Sequence, residues 1–356
     1  MSPTGDARRR LAEALSGEEL ELFTSSGGLT LEAADQMREN VIGVLRIPVG
    51  LVEGLVVNGR SLDVPLATEE QGVVAQASTG AGFAALGGGF TAVSTGNVMR
   101  GQIQVLGVPD PEAAAARLLA ERDSLLLEAN TASTTRKAVD LTVRTLPSAV
   151  GPMMVVELFV DVRDSMGANL VDSMCELVAP SVERLTGGRV NMRILSNLAT
   201  ERMVRVKTTI PVSRLGEGVA GRIAEACSFA EADPYRAVTH NKGVMNGVVG
   251  VLLATGNDTR AVEAGAHAYA ALSGRYRPLS SWSVEGGKLV GSLEMPLSVG
   301  TVGGVVQAHR LARLVLRLIG AETASELAMV AGSAGLACNL GALYTLVTGG
   351  IRSIQP

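Results

Sequence analysis

The stretch that decides the fold is residues 101–126, which read GQIQVLGVPDPEAAAARLLAERDSLL. Polar and apolar residues alternate over 102–108, as they do in a half-buried strand. Asp110 is a favourable helix N-cap, and Pro111 suits the first turn of a helix. The leucines that follow recur at the spacing of one helix face. The sequence therefore predicts a strand followed by a helix.

The same change of periodicity continues along the chain. Strand-like runs at 139–145 and 153–162 are joined through a segment that contains Pro and Gly, and another run follows at 190–195. Before that last run, and after Gly167, a helix is predicted with an apolar face made of Leu170, Met174, Leu177, Val178, Val182 and Leu185. The order β-α-β-β-α-β is that of a ferredoxin-like fold, so we expect an inserted domain over residues 101–199.

The residues on either side of this insertion predict one larger domain. The runs 51–57 and 61–66 bracket Asn58-Gly59, which is a strong signal for a two-residue hairpin. Further strand and helix patterns follow at 203–212, 219–230 and 260–271. A chain of 356 residues exceeds the size at which a single core stops growing, about 250–300 residues. The predicted class is α+β, with a large mixed α/β domain from residues 1–100 and 200–356 and the ferredoxin-like domain inserted into it.

Composition limits the classes of function. Hydrophobic residues make up 47% of the chain and aromatic residues 3%, and the net charge is −4. An acidic chain with few aromatic rings lacks what nucleic-acid binding needs, so we expect no nucleic-acid partner. Residues 72–99 and 327–351 carry no charge and are long enough for membrane spans, but they are rich in small polar residues and glycine. We expect both to be buried helices whose backbones approach their neighbours closely, and no membrane partner.

The cysteines point to an intracellular protein. Cys175, Cys227 and Cys338 lack the CxxC and Cys/His spacings of metal sites, and their number is odd. The N-terminus contains no apolar signal segment. We therefore expect buried free thiols, a cytoplasmic location and no metal.

Residues 233–247 and 254–258 concentrate the chemistry of the chain. They read DPYRAVTHNKGVMNG and ATGND. A cation, carboxylates, amides and small residues in one stretch are what a site needs to hold a polar substrate against a developing alkoxide.

Three motifs in a fixed order relate this stretch to a known family. They are Glu39–Gly43 (ENVIG), Asp164–Asn169 (DSMGAN) and His240–Gly243 (HNKG). In these motifs the chain resembles the 3-hydroxy-3-methylglutaryl-coenzyme A (HMG-CoA) reductases, and specifically their bacterial class II branch. The resemblance implies a reduction of HMG-CoA to mevalonate and CoA by two hydrides from two nicotinamide cofactors, without a metal. It also implies a homodimer or higher homo-oligomer in which Glu39–Gly43 is the dimerisation motif and the active site lies where two subunits meet.

The resemblance assigns catalytic roles to Glu70, Lys242 and Asp258. Lys242 corresponds to the family's catalytic lysine, whose ammonium stabilises the negative charge that grows on the substrate oxygen. Glu70 corresponds to the catalytic glutamate, and we expect burial beside Glu69 to raise its pKa so that it can donate a proton. Asp258 corresponds to the aspartate that links Lys242 and Glu70, although it also stands where it would cap a helix beginning near residue 259.

The substrate ligands implied by the resemblance are Arg236, Asn246, Asn339 and Asn197. Arg236 is similar to the residue that binds the substrate's free carboxylate, a task suited to a planar bidentate donor. The three amides correspond to positions that line the same pocket, although each amide taken singly is more often structural.

The cofactor site departs from the dinucleotide fingerprint, because no GxGxxG motif follows a strand. The motif at 164–169 instead stands between a strand and a helix, whose N-terminal N–H groups suit a pyrophosphate. The resemblance places the dinucleotide on Asp164, Met166, Gly167, Ala168 and Asn169. Ser133 stands where NADH-preferring members carry an aspartate, and Arg136 is close by, so NADPH is favoured over NADH.

The chain also departs from the family at its end. Class II members continue beyond the region of residues 349–352 into a small C-terminal domain with a histidine that protonates the departing thiolate, and this sequence stops at Pro356. His240, His267 and His309 do not stand in a matching context. His267 and His309 instead lie in helical patterns typical of core or surface histidines.

Two alternatives remain open from the sequence. The protein is either the reductase or a catalytically weak binder of CoA thioesters, and the reductase could also work in the mevalonate-oxidising direction with NAD. Intact Glu70, Lys242 and Asp258 favour the enzyme.

Overall fold

The computed structural model describes residues 3–24 and 29–349, and it divides into two compact units. One unit is Thr95–Met203, and the other is formed by the chain on either side of it. The strands are β1 (Val49–Val57), β2 (Arg60–Ala67), β3 (Phe90–Ser94), β4 (Val98–Leu106), β5 (Lys137–Leu146), β6 (Met153–Asp161), β7 (Arg189–Ser196), β8 (Met203–Pro211), β9 (Ser280–Glu285) and β10 (Lys288–Pro296). The helices are α1 (Pro3–Ala14), α2 (Gly17–Thr24), α3 (Leu31–Met37), α4 (Val73–Ala85), α5 (Pro111–Ala120), α6 (Arg122–Ala129), α7 (Ala168–Thr186), α8 (Val219–Ala232), α9 (Pro234–Ala254), α10 (Thr259–Ala271), α11 (Gly304–Ala308), α12 (Arg310–Ile319) and α13 (Ala324–Thr348).

The larger unit is built on a six-stranded sheet in the order β2-β1-β3-β8-β10-β9. The predicted hairpin is confirmed: β1 and β2 pair antiparallel, and Asn58 and Gly59 have φ of 49° and 79°. A turn with both central residues at positive φ matches the right-handed twist of the strands. The hairpin is also tied to β3, because the Asn58 amide exchanges two hydrogen bonds of 2.9 Å with the backbone of Ala92.

The helices α4, α9 and α13 pack against one another with very little space between their backbones. A Cβ at Gly80 of α4 would lie 1.9 Å from the carbonyl oxygen of Ala337, and one at Gly247 of α9 would lie 2.3 Å from that of Ala334. The helix α13 is long and apolar enough to cross a membrane, but 83% of its most apolar window is buried inside the protein. It is therefore the core helix of this unit, as the close backbone approach predicted.

The smaller unit has a four-stranded sheet in the order β5-β6-β4-β7, with β4 antiparallel to both of its neighbours. Its elements follow one another as strand, helices, two strands, helix and strand. Asp110 caps α5 as predicted, since its side chain accepts a hydrogen bond from the N–H of Ala113 at 3.0 Å. The helix α7 ends at Gly187, which has a φ of 69°.

Three expectations about these elements were wrong. The charge-free stretch 72–99 is not one helix, because α4 ends at Ala85 and β3 begins five residues later. The helix predicted after Pro111 is interrupted at Glu121 and continues as α6. Leu177 is 42% exposed, and the buried face of α7 instead includes Val171 and Cys175. The end of the second charge-free stretch, residues 350–351, lies outside the described residues.

Candidate active site

The lysine motif lies in the first half of α9, a helix of 21 residues that begins as the local sequence dictates. Asp233 caps it by accepting from the N–H of Tyr235 at 3.1 Å, and Pro234 occupies the first turn. Asp and Pro at these positions satisfy or remove N–H groups that a helix leaves without partners. The motif is therefore held by a rigid element.

The first two residues of the motif are buried and hydrogen-bonded to the protein. Asn241 accepts from the N–H of Leu279 at 2.8 Å and donates to the carbonyl of Arg277 at 2.9 Å. His240 Nε2 lies 2.7 Å from Ser280 Oγ, and burial, aided by the charge of Arg236, lowers its pKa to about 4. A segment distant in sequence thus fixes the rotation of α9 about its axis.

Lys242, the next residue, points the other way into a cleft of about 250 Å³. Its ammonium forms an ion pair with Glu70, which follows the end of β2. With the Asn246 amide oriented so that both its polar atoms are satisfied, its oxygen accepts from Lys242 Nζ at 3.3 Å and its nitrogen donates to Lys242 O at 3.2 Å. The structure therefore brings three of the predicted site residues together.

The surroundings of Glu70 differ from the expectation in one respect. The predicted burial beside Glu69 is wrong, because the Glu70 side chain is 46% exposed and Glu69 is exposed as well. The chain turns away from the sheet directly after β2, so both carboxylates stand at the mouth of the cleft in contact with water. Lys242 is the partner that holds Glu70 in place.

Asp258 and Arg236 do not contact this cluster. Asp258 is the N-cap of α10 and accepts from the N–H of Ala261 at 3.0 Å, and no hydrogen bond or ion pair joins it to Lys242 or Glu70 among the described residues. Arg236 is half-buried on α9, where burial lowers its pKa, and within the described ranges its guanidinium has no ion-pair partner. Its charge is therefore free to meet an anionic ligand.

Asn339 lies on α13, behind the lysine motif. It is 2% exposed on α13, and its oxygen accepts from Trp282 Nε1 at 2.8 Å and from Ser280 Oγ at 3.0 Å. The amide oxygen is therefore satisfied by buried protein groups behind His240, and the place of Asn339 in a substrate pocket stays a prediction. Asn197, in the smaller unit, is exposed just after β7.

The turn predicted to bind the dinucleotide leads into α7. Gly167 is its N-cap with a φ of 93°, and no side chain caps the helix. A Cβ at Gly167 would lie 2.4 Å from Val162 Cγ1, so only glycine fits. The buried Arg202, whose pKa is lowered to about 10 by its burial, donates to the carbonyls of Ser165 at 3.1 Å and Met166 at 3.4 Å. The turn is held by its carbonyls, which leaves the N–H groups at the start of α7 for an anion.

The loop predicted to recognise the ribose is organised by Ser133. Its hydroxyl accepts from the N–H of Arg136 at 3.1 Å and from that of Thr135 at 3.3 Å. The guanidinium of Arg136 forms no hydrogen bond or ion pair with the described part of the chain. A cation without a partner in a loop without a carboxylate is compatible with a phosphate.

The sequence reasoning missed two residues of the cleft. Glu263 and His267 of α10 line it together with Lys242 and Glu70, and His267 Nδ1 lies 2.7 Å from the hydroxyl of Tyr276. Their spacing of one helical turn was the only signal in the sequence, and it is shared by any exposed helix face.

Comparisons with known proteins agree on one family. The family model described as hydroxymethylglutaryl-coenzyme A reductase matches residues 4–353. The 3-hydroxy-3-methylglutaryl-coenzyme A reductase of Archaeoglobus fulgidus is 45% identical over 345 residues, which cover 95% of this chain and 79% of that protein. The probable 3-hydroxy-3-methylglutaryl-coenzyme A reductase of Borreliella burgdorferi is 33% identical over 333 residues, covering 89% and 74%.

A solved structure shows the same agreement. The class II 3-hydroxy-3-methylglutaryl-CoA reductase from Streptococcus pneumoniae, bound to NADPH in open conformations, has a TM-score of 0.94 and 38% sequence identity. The alignment covers 99% of this chain and 88% of that one. The likeness therefore extends over both units and concerns the sequence as well as the fold.

Proposed function

This chain belongs to the hydroxymethylglutaryl-coenzyme A reductase family, in its class II branch, and from that premise we propose that it reduces HMG-CoA to mevalonate and CoA with two molecules of NADPH. NADH is the alternative reductant. The observation that carries the proposal is the contact of Lys242 with Glu70 and Asn246 in one cleft.

Lys242 is proposed to stabilise the oxyanion. Its side chain is 54% exposed and lines the cleft, while the residue before it is buried and fixed. A thioester carbonyl placed beside the ammonium would gain a charged hydrogen bond that strengthens as negative charge develops on its oxygen. Asn246 supports this role, because its amide oxygen accepts from the same ammonium and limits where it can point.

Glu70 is proposed to deliver the proton that the developing alkoxide takes up. The ion pair with Lys242 keeps its carboxyl group next to the oxyanion position. A bound substrate that excludes water from the mouth of the cleft would disfavour the charged carboxylate and prepare it for proton donation. Binding of the substrate would then supply the desolvation that the free protein lacks.

The remaining polar residues of the larger unit keep their roles as proposals. Asp258 would act on the cluster through its negative charge in addition to capping α10. Arg236 would bind the free carboxylate of the substrate, because its guanidinium has no ion-pair partner among the described residues. Asn339 would line the substrate pocket, as the resemblance implies, and its network around His240 also supports the lysine motif from behind.

In the smaller unit, the turn at Gly167 is suited to the dinucleotide, and the strand and helix order supports a ferredoxin-like cofactor-binding domain. The residues Asp164, Met166, Gly167, Ala168 and Asn169 would hold its pyrophosphate, with Arg136 and Ser133 near the ribose. The bound nicotinamide supplies the hydride. A 2′-phosphate would pair with Arg136, which favours NADPH. Asn197 remains a proposed substrate ligand on the resemblance.

The protein is proposed to work as a cytoplasmic homodimer. Ile42 and Leu45 are 102% and 89% exposed in the segment that contains the motif Glu39–Gly43. Large apolar side chains in that state typically mark a surface that another protein covers. The three cysteines are free and buried, which suits a reducing compartment.

The test is the loss of nicotinamide absorbance when HMG-CoA is added to the protein, measured with NADPH and NADH in parallel. We expect turnover with both and a higher kcat/KM with NADPH. Lys242→Ala should lower kcat by about 10²–10³-fold, because it removes the charge that stabilises the oxyanion.

Lys288→Ala is the matched control, since Lys288 is an exposed lysine of the same unit outside the cleft. It should retain the activity of the unsubstituted protein. Turnover that survives in Lys242→Ala, or no turnover with either cofactor by a folded protein, would refute the proposed function.

A further inference from the structure

The smaller unit contains a buried positive charge in contact with the turn of residues 164–169, hereafter the cofactor turn. Arg202 is 2% exposed and lies between β7 and β8. Its N–H donates to the carbonyl of Ala199 at 2.9 Å, and the N–H of Met203 donates to Thr95 Oγ1 at 2.9 Å. The backbone is therefore fixed on both sides of Arg202. A guanidinium is costly to remove from water, so one in this position needs strong partners.

The partners of the guanidinium belong to the cofactor turn. It donates to the carbonyl oxygens of Ser165 at 3.1 Å and Met166 at 3.4 Å. Burial lowers the pKa of Arg202 to about 10, and the nearby carboxylates of Asp164 and Asp161 act in the opposite direction. A group with that pKa keeps its proton at neutral pH. A full positive charge therefore lies against the inner side of the turn.

These hydrogen bonds fix the direction of two N–H groups. A trans peptide is planar, and its C=O and N–H point in opposite directions. The described residues contain no cis peptide, and the carbonyls of Ser165 and Met166 point to Arg202. The N–H groups that share these peptides, those of Met166 and Gly167, therefore point away from Arg202. Within the described ranges neither N–H has a hydrogen-bond partner.

The start of α7 extends this series of N–H groups. The N–H of Val171 donates to the carbonyl of Gly167 at 3.0 Å, and no side chain caps the helix. The N–H groups of residues 168–170 precede the first such bond, as at any helix N-terminus. The cofactor turn is also tied to the residue that follows β6, because the Ser165 hydroxyl donates to the carbonyl of Val162 at 2.8 Å. Successive N–H groups of a turn and a helix start form a concave site for an anion.

We propose that Arg202 is a positioning residue for the dinucleotide, which holds two carbonyls of the cofactor turn so that the N–H groups of Met166 and Gly167 face the pyrophosphate. Arg202 itself does not touch the ligand, since it is buried. Its charge also offsets the negative charge of Asp164, which would otherwise repel an anion bound at this turn. The inference rests on the proposed function, because the cofactor is taken to bind at residues 164–169.

The first test is the affinity for NADPH in the absence of HMG-CoA, measured by titration of the nicotinamide fluorescence. Arg202→Met replaces the guanidinium with an apolar group of similar length and should raise the dissociation constant by about tenfold, because two N–H groups lose their fixed direction. Arg202→Lys keeps the charge, but an ammonium lacks the planar fork that reaches both carbonyls, so the rise should be about threefold. Arg202→Lys decides the question if Arg202→Met does not fold. Unchanged affinity in the folded variants would overturn the proposal.

A comparison of two competing ligands separates positioning from a general structural role. The probe 2′-phospho-ADP-ribose contains the pyrophosphate but no nicotinamide, and adenosine 2′-monophosphate contains neither. When each ligand displaces NADPH, Arg202→Met should raise the dissociation constant of the first by about tenfold and that of the second by less than about twofold. Equal losses for the two ligands would contradict the proposal, because they would mean that the whole unit is disturbed.

Arg193→Met is the matched control, since Arg193 is an exposed arginine of β7 in the same unit. It should leave both affinities unchanged.

Binding measured without turnover also separates this inference from the proposed function. Weaker binding of NADPH and 2′-phospho-ADP-ribose to Arg202→Met supports the positioning role even if the protein reduces nothing. A protein that reduces HMG-CoA but binds NADPH equally well with and without Arg202 would keep its function and refute the inference. A folded, unsubstituted protein that binds neither ligand would refute it as well.

Discussion

Two carboxylate clusters, one in each unit, show opposite ways of holding a charge. Glu157 on β6 is 3% exposed and accepts from Gln102 at 2.9 Å, from Arg144 at 3.1 Å and from Arg100 at 3.3 Å. Burial works to raise its pKa, but the hydrogen bonds and the two positive charges outweigh it, so its pKa is lowered. Glu70, in contrast, is 46% exposed, and within the described part of the chain its carboxylate has a single side-chain partner, Lys242.

The difference separates a structural ion cluster from a site. A buried carboxylate that accepts from several donors has no capacity for a ligand, and removing it deprives those donors of a buried acceptor. An exposed ion pair whose polar atoms still face solvent contributes little to stability but can exchange water for substrate. The comparison therefore assigns Glu157 to folding and Glu70 to chemistry.

The largest effect on stability is expected from Glu157→Ala. It should lower the free energy of unfolding by roughly 1–3 kcal/mol, because Gln102 and Arg100 lose a buried acceptor. Arg100 keeps its ion pair with Glu201, and Arg144 is exposed and can turn to water. Chemical denaturation followed by circular dichroism measures it, with Glu176→Ala, an exposed carboxylate of the same unit, as the control. A loss no larger than that of the control would remove the distinction between the clusters.

Glu70→Gln should act in the opposite way. We expect kcat to fall by about 10²–10³-fold, since the amide cannot supply a proton, while the free energy of unfolding changes by less than about 0.5 kcal/mol. Steady-state kinetics and thermal unfolding measure the two quantities on the same preparation. Glu231→Gln, an exposed glutamate on α8, should change neither. Full activity of Glu70→Gln would contradict the assignment.

A smaller effect concerns His240, which is buried next to the site and whose protonation is coupled to unfolding. Its pKa falls from 6.5 to about 4 on folding, so between these pH values the unfolded chain binds a proton that the native state does not. Above pH 6.5 His240 therefore does not reduce the free energy of unfolding. Below pH 6.5 protonation of the unfolded chain lowers that free energy, by about 2 kcal/mol at pH 5.

The measurement is the difference in unfolding free energy between pH 8 and pH 5 for the unsubstituted protein and for His240→Gln. Fluorescence of Trp282, the single tryptophan, reports on this region because its indole bonds to Asn339 in the same network. The substitution should reduce the pH dependence by that amount. Parallel pH profiles for the two proteins would show that His240 is not the group responsible.

Local sequence was sufficient for much of the fold. The Asn58-Gly59 hairpin, the Asp110 cap and the strand β7 follow from turn chemistry, capping and alternation, which act between near neighbours. The interruption of the helix at Glu121 and the exposure of Leu177 were not predictable in this way, since long-range packing decides which of several apolar positions is buried.

The sequence by itself determined the family and the identity of the lysine motif, because the order of residues in a motif is covalent. Only the tertiary structure decided that Glu70 meets Lys242 from 172 positions away, that Asn339 is satisfied inside the core, and that His267 faces the cleft. These relations depend on how helices and sheet pack and on which polar atoms are left without partners. Such contacts are set by the whole buried core rather than by residues adjacent in the chain.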